Sequence, residues 1–297
     1  NMCAQANRLT CRSAMSVHKL LDSALFYVLT IVVIFCLMLP FMVLKLLPIP
    51  SLRVLCSQAL TAVADAWCVC SQRWIDWVNP VHWRVQLPEG LERQNWYLVI
   101  ANHQSWVDIM VLQKVFTNRI PFLKFFLKQQ LLYIPLLGIV WWALDFPFMR
   151  RSGGENTKKD LATARAACEK FRIVPTSVIS FIEGTRFTAD KHRESKSPYT
   201  RLLPPKAAGI AVTLETMGST FASLLDVTIA YPQGVPTFVD VMAGRLKEVI
   251  VHVRAMPVPQ ELLPQEGHPP ASRTRVQRWI NGLWQEKDAE LARMLEP

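Results

Sequence analysis

Apolar positions fall into two regimes along this chain. Ala24 to Leu44 is a run of 21 residues without a charge. A bilayer core takes roughly 20 apolar residues as helix, so this run is long enough to span or enter one. It is long for the apolar region of a signal peptide, and no small-x-small cleavage site follows it. A soluble core helix rarely avoids charge on every face for this length. After Pro48-Ile49-Pro50, a second helical stretch is expected from Ser51 to Trp77. There Leu52, Leu55, Ala59, Ala62, Val63, Ala66 and Cys70 recur at helical spacing, interrupted by Arg53, Gln58, Asp65, Gln72 and Asp76. That mixture predicts an interfacial helix. Trp67, Trp74, Trp77 and Trp83 suit either a headgroup-level belt or core packing. Asn1 to Ser16 is expected to be mobile.

From Val81 onward, strand-like and helix-like runs alternate. Strands are predicted at Trp96–Ala101, Phe122–Leu127, Asp145–Met149, Ser177–Phe181, Leu225–Tyr231 and Val249–Arg254. Helices are predicted at Trp106–Phe116, Lys158–Phe171, Lys206–Met217 and Ser272–Leu295. Near-continuous apolar strands between helices indicate an α/β fold whose mixed, largely parallel sheet is flanked by helices. The organisation expected is a membrane-anchoring helical hairpin over 1–79 and an α/β domain over 80–297. Arg186 to Pro205 is the longest loop-like stretch.

Composition adds a bias rather than a fold. The formal charge of +10 favours anionic partners: a lipid surface, phosphorylated small molecules or nucleic acid. Nucleic acid is disfavoured, because no recognisable motif for it occurs and the bases are interspersed with acids. The seven cysteines form no CxxC pair and read as buried or lipid-facing thiols, so no structural zinc is implied.

Two short stretches carry candidate chemistry. In the first, Asn102-His103-Gln104-Ser105-Trp106-Val107-Asp108, His103 follows a strand end and Asp108 opens a helix. Histidine titrates near neutral pH and serves as a general base. Asp108 is placed to accept from its other ring nitrogen and fix the tautomer, as a carboxylate does in the serine-protease triad. No Gly-x-Ser-x-Gly elbow occurs, so direct attack by an acceptor hydroxyl is the simpler scheme. The spacing is weak by itself, since one histidine and one aspartate meet it often by chance. The second stretch is Phe181-Ile182-Glu183-Gly184-Thr185-Arg186. Gly184-Thr185 makes a tight turn after a strand, from which Arg186 projects with the paired donors that grip a phosphate. Glu183 is placed either to hold that arginine or to bind an acceptor hydroxyl. Ligands in α/β sheets sit beyond the carboxyl ends of strands, so both stretches are expected in one crevice. Arg150-Arg151 is a further basic pair at a strand end.

These blocks together resemble the glycerophospholipid acyltransferases, the PlsC or 1-acylglycerol-3-phosphate acyltransferase family. Asn102-His103 through Asp108 is similar to its NHx4D block, and Phe181 to Arg186 to its FPEGTR block with Ile182 in place of proline. Phe148-Met149-Arg150-Arg151 and Val227-Thr228-Ile229-Ala230-Tyr231-Pro232 resemble the remaining two. The last of these, with Leu203-Pro204-Pro205-Lys206, is similar to the lysocardiolipin acyltransferase-like branch, and the overall likeness is to bacterial YihG-type enzymes. The resemblance implies an acyl-CoA or acyl-carrier-protein donor, a lysophospholipid acceptor and no cofactor. It implies His103 as base with Asp108 as its partner, Glu183, Gly184, Thr185 and Arg186 around the acceptor, and Arg150 or Arg151 aiding phosphate binding. Arg8, Arg12 and Lys19 before the apolar run place that side in the cytoplasm. A re-entrant hairpin bent near Pro40 and Pro48 then keeps the catalytic domain on the cytoplasmic face of a bacterial inner membrane, where such a donor is found. A non-catalytic membrane scaffold is the reading from another class, but it leaves the four blocks unexplained.

Overall fold

The computed structural model describes residues 2–149, 155–264 and 272–296, with side chains over 17–148, 162–264 and 272–296. The chain opens with α1 (Met2–Lys45), which takes in the segment expected to be mobile, and α2 (Pro50–Val78). The turn between them holds Pro48, and Pro50 opens α2, where a missing N–H costs nothing. Then follow β1 (His82–Gln86), β2 (Tyr97–Ala101), α3 (Val107–Phe116), β3 (Leu123–Phe125), β4 (Leu127–Lys128), α4 (Leu137–Ala143) and β5 (Phe148–Met149). The second half runs α5 (Glu155–Phe171), β6 (Ser177–Ser180), α6 (Ala189–Ser195), α7 (Ala207–Met217), β7 (Ser223–Ala230), α8 (Phe238–Met242), β8 (Glu248–Met256) and α9 (Arg273–Met294).

Six strands form one sheet in the order β1-β8-β7-β2-β6-β3. β7, β2, β6 and β3 run parallel; β8 is antiparallel to β7 and carries β1 parallel to itself. β2 lies at the centre with all five residues buried, which is why its sequence is apolar throughout instead of alternating. One face of the sheet packs on α5, α7 and α9 through Phe171, Ile210, Leu214, Ile280 and Trp284. The other packs on α3 and the end of α2 through Val111, Leu112, Phe116 and Ile75.

Sequence and structure part at particular places. The strand expected at Phe122–Leu127 divides: β3 belongs to the main sheet, whereas β4 pairs with β5 in a separate two-stranded ribbon. Between β4 and β5 lies an unanticipated element, a 3-10 turn (Gln129–Tyr133) followed by α4. A Cβ on Gly138 would lie 1.9 Å from the Leu132 carbonyl oxygen, so only glycine lets the turn and helix close on each other. α4 buries Val140 and Ala143 against Met38, Met42, Leu60 and Ala64 of the hairpin, and turns Ile139 and Trp142 outward. The long loop from Arg186 is broken by α6, capped by the Thr188 side chain.

The hairpin itself is long and apolar on its outside. Val17–Lys45 and Pro50–Val78 are both long and apolar enough to cross a membrane. Val28, Val32, Val33, Leu37 and Leu46 are exposed on it. Trp74 stacks on Phe26 and donates to the Ser23 hydroxyl at 3.1 Å, so it packs between helices, while Trp77 points outward.

α9 is fixed by a buried cation. The Lys287 side chain has no exposure; its Nζ reaches Asp226 at 2.6 Å and the Val227 carbonyl at 2.6 Å. Truncating one partner of such a pair leaves an uncompensated buried charge and costs about 3–5 kcal/mol. One turn earlier, the Trp284 indole donates to the Leu203 carbonyl at 2.9 Å, which anchors a loop that reaches the candidate site.

Candidate active site

β2 and β6 are adjacent parallel strands, and each hands its chain to one of the two motifs at the same edge of the sheet. His103 comes two residues after β2, and its Nδ1 lies 2.9 Å from Asp108 Oδ2. Asp108 sits in the first turn of α3, where the helix dipole and free N–H groups favour a carboxylate. Its Oδ2 also accepts from the Gln104 and Ser105 backbone N–H groups at 2.6 and 2.8 Å. The carboxylate is fully buried while the His103 side chain keeps 14% exposure. The ring of His103 stacks on Phe181 at 4.0 Å between centroids. With Nδ1 committed to Asp108, Nε2 has no hydrogen-bond partner among the described residues.

Both carboxylate oxygens of Glu183 are engaged by backbone donors. One carboxylate oxygen accepts the His103 backbone N–H at 2.8 Å and the other accepts the Leu203 N–H at 2.9 Å. The residue is 1% exposed, and burial raises its pKa to about 7 against the lowering pull of those two N–H groups. It therefore ties the histidine loop to the loop that α9 anchors. In return the Phe187 N–H donates to the His103 carbonyl at 2.7 Å. Ile182 is buried beneath the turn in the core, and its carbonyl accepts the Lys206 N–H at 2.7 Å.

The turn presents cations. Gly184 has φ of 72°, in the left-handed region that a side chain resists, and Lys206 lies against the space its Cβ would take. Thr185 accepts from Lys191 Nζ at 2.8 Å. Arg186 is exposed and sits 5.2 Å from the ring centre of Trp106, which itself belongs to the first motif. Arg150 and Arg151 lie outside the described residues.

Two residues absent from the expected set complete the picture. Asn102 is fully buried and pairs with the backbone of Ile229, donating to its carbonyl at 2.9 Å and accepting its N–H at 2.8 Å. Tyr231, just beyond β7, donates its hydroxyl to Asp108 Oδ1 at 2.7 Å. Sequence spacing carries no signal for either contact, because their partners lie more than a hundred residues away; the clues are that both flank strand ends and both fall within the blocks quoted above.

A family model described as acyltransferase matches residues 82–231, which includes both motifs and the sheet that brings them together. The chain belongs to this acyltransferase family. Among similar proteins, the 1-acyl-sn-glycerol-3-phosphate acyltransferase delta of Macaca fascicularis is 27% identical over 206 residues, which cover 65% of this chain and 51% of that protein. The gamma form of Mus musculus is 28% identical over 206 residues, with the same 65% and 51% coverage. The chain thus spans about half the length of the curated relatives it matches. The crystal structure of the 1-acyl-sn-glycerophosphate acyltransferase PlsC from Thermotoga maritima superposes with a TM-score of 0.59 over 95% of this chain and 98% of that one, at 18% identity. This chain and PlsC therefore share a fold, the two N-terminal helices included.

Proposed function

We propose that the protein transfers a fatty acyl group from acyl-CoA or acyl-carrier protein to the free hydroxyl of a lysophospholipid, with lysophosphatidic acid the leading acceptor and phosphatidic acid the product. The observation that carries this reading is the buried His103–Asp108 pair beside the Gly184–Arg186 turn. His103 Nε2 takes the proton of the acceptor hydroxyl as its oxygen attacks the thioester carbonyl. Asp108 stabilises the imidazolium that forms. Collapse of the tetrahedral intermediate breaks the carbon–sulfur bond, and the departing thiolate receives the proton back. No residue of the chain becomes acylated. Arg186 holds the acceptor phosphate, with Gly184 and Thr185 shaping the turn that presents it. Glu183 serves by fixing the base loop. Arg150 or Arg151 adds to the phosphate site.

The membrane reading rests on where α1 touches the rest of the chain. Near its start, Lys19 lies against Gly244 and Ser23 donates to the Met242 carbonyl at 3.0 Å. At its end, Lys45 pairs with Asp145 at 2.6 Å. Lys19 and Lys45 stand about 39 Å apart along a helix that rises about 1.5 Å per residue. A hydrocarbon core is about 30 Å thick, so a hairpin flanked by the α/β domain over that length enters one leaflet instead of crossing two. The exposed Tyr133, Ile139 and Trp142 extend its apolar surface. The site then draws its acceptor from the cytoplasmic leaflet of a bacterial inner membrane.

Purified protein given labelled acyl-CoA or acyl-carrier protein and a panel of lysolipids tests this. Product with lysophosphatidic acid above all others is expected. Preference for lysophosphatidylglycerol or lysocardiolipin moves the acceptor within the same chemistry. No transfer to any lysolipid from either donor rejects the enzyme in favour of a membrane scaffold.

A further inference from the structure

Asp108 has four hydrogen-bond donors, and three of them reach one oxygen. His103 Nδ1, Gln104 N and Ser105 N all meet Oδ2, at 2.9, 2.6 and 2.8 Å. The other oxygen receives a single protein donor, the Tyr231 hydroxyl at 2.7 Å. The three donors to Oδ2 come from the same loop as the base, so local sequence supplies them. Tyr231 arrives from a different strand, 123 positions along the chain.

Its delivery is built into the sheet. β7 pairs with β2 in parallel register up to Ala101 opposite Val227. The double hydrogen bond from Asn102 to Ile229 continues that pairing past the end of β2. Two residues on, Tyr231 turns under α3 with 4% exposure and joins the core formed with Val107 and Val111. The Gly234 N–H donates to the Tyr231 carbonyl at 3.1 Å and closes the turn behind it.

We propose that Tyr231 is a positioning residue for the reaction: its hydroxyl holds Asp108 Oδ1 so that Oδ2 stays aimed at His103 Nδ1. Burial beside the Asp108 carboxylate pushes the phenol well above its ordinary range, so it remains a donor throughout the working pH range. Without it, Oδ1 is a buried carboxylate oxygen with no partner among the described residues, and rotation of the carboxylate toward another donor becomes favourable. Tyr231 does not touch the reacting atoms in this scheme; it acts only through Asp108.

This inference rests on the acyl-transfer reading, and the experiment separates the two. Acyl transfer to the preferred lysolipid is measured for wild type, Tyr231→Phe, Asp108→Asn and the double variant. Loss of one hydrogen bond to a charged group predicts that Tyr231→Phe lowers kcat about 10- to 100-fold. KM for donor and acceptor stays within about twofold, because no substrate contact is removed. In the Asp108→Asn background, adding Tyr231→Phe changes the rate by less than about twofold, since the group it serves is already lost. Site-specific 3-fluorotyrosine at position 231 keeps the hydroxyl and retains kcat within about threefold of wild type, a result that does not depend on the Phe variant folding. Full turnover by Tyr231→Phe, or losses that multiply in the double variant, overturns the role of Tyr231. Absence of wild-type transfer to every lysolipid overturns the functional reading beneath it.

Discussion

The two halves of the site are built on opposite plans. On the histidine side the carboxylate is held: Asp108 is fully buried and accepts four hydrogen bonds, three from the loop before α3 and one from Tyr231 just beyond β7. On the arginine side, the cations stand at the surface. Arg186 rests on the face of Trp106, Lys206 is exposed just before α7, and Lys191, half-buried in α6, reaches Thr185. On the proposed acyl-transfer reading, a base keeps one geometry through every turnover, and an anion site lets a lipid headgroup arrive and leave. The difference teaches which substitutions should strike chemistry and which should strike binding.

The largest effect is expected at Asp108. Asp108→Asn keeps the shape but removes the charge that steadies the imidazolium, and kcat should fall by about 10³- to 10⁴-fold in a steady-state assay. A loss confined to KM would mean that the histidine side is not the rigid half. Next comes Arg186→Ala, for which KM of the phosphorylated acceptor should rise about 10- to 100-fold with kcat changed far less. A kcat loss there as large as at Asp108 would erase the distinction between the halves.

An effect on stability, with none expected on the chemical step itself, sharpens the link between them. Glu183 joins the His103 loop to the Leu203 loop, and burial raises its pKa from 4.5 to about 7. A carboxyl whose folded pKa is raised contributes stability that is full below its unfolded pKa and is lost as pH rises through the folded value. Thermal denaturation should therefore show wild type losing up to about 3 kcal/mol between pH 4.5 and pH 7 from this group, with little further loss above. Glu183→Gln should lack that component. An unchanged pH dependence in the variant would show that Glu183 does not carry it.

Much of this site was legible because its logic is local. A strand end followed by His103 and a helix start at Asp108 are both written in a stretch of seven residues. The turn at Gly184 is equally local, and parallel strands then bring the two together. What escaped the sequence depends on contacts across the fold. Glu183 reads in sequence as a residue to hold Arg186 or to bind an acceptor hydroxyl; the backbone N–H groups of His103 and Leu203 that it also engages are announced by no residue type. Tyr231 read as the end of an apolar strand, and only the register of β7 on β2 brings its hydroxyl to Asp108. α4 was missed because Leu131 to Leu144 is apolar on every side, so it shows neither the period of a helix nor that of a strand. β1 is short and lies at the sheet edge, where its exposed polar residues mask the pattern.

One measurement bears most directly on the claim that the histidine side performs the chemistry. Wild type and His103→Ala are compared for acyl transfer to the preferred lysolipid and for binding to phospholipid vesicles. The account predicts a fall in kcat of at least about 10³-fold with vesicle binding unchanged. Turnover by His103→Ala within about tenfold of wild type would contradict it.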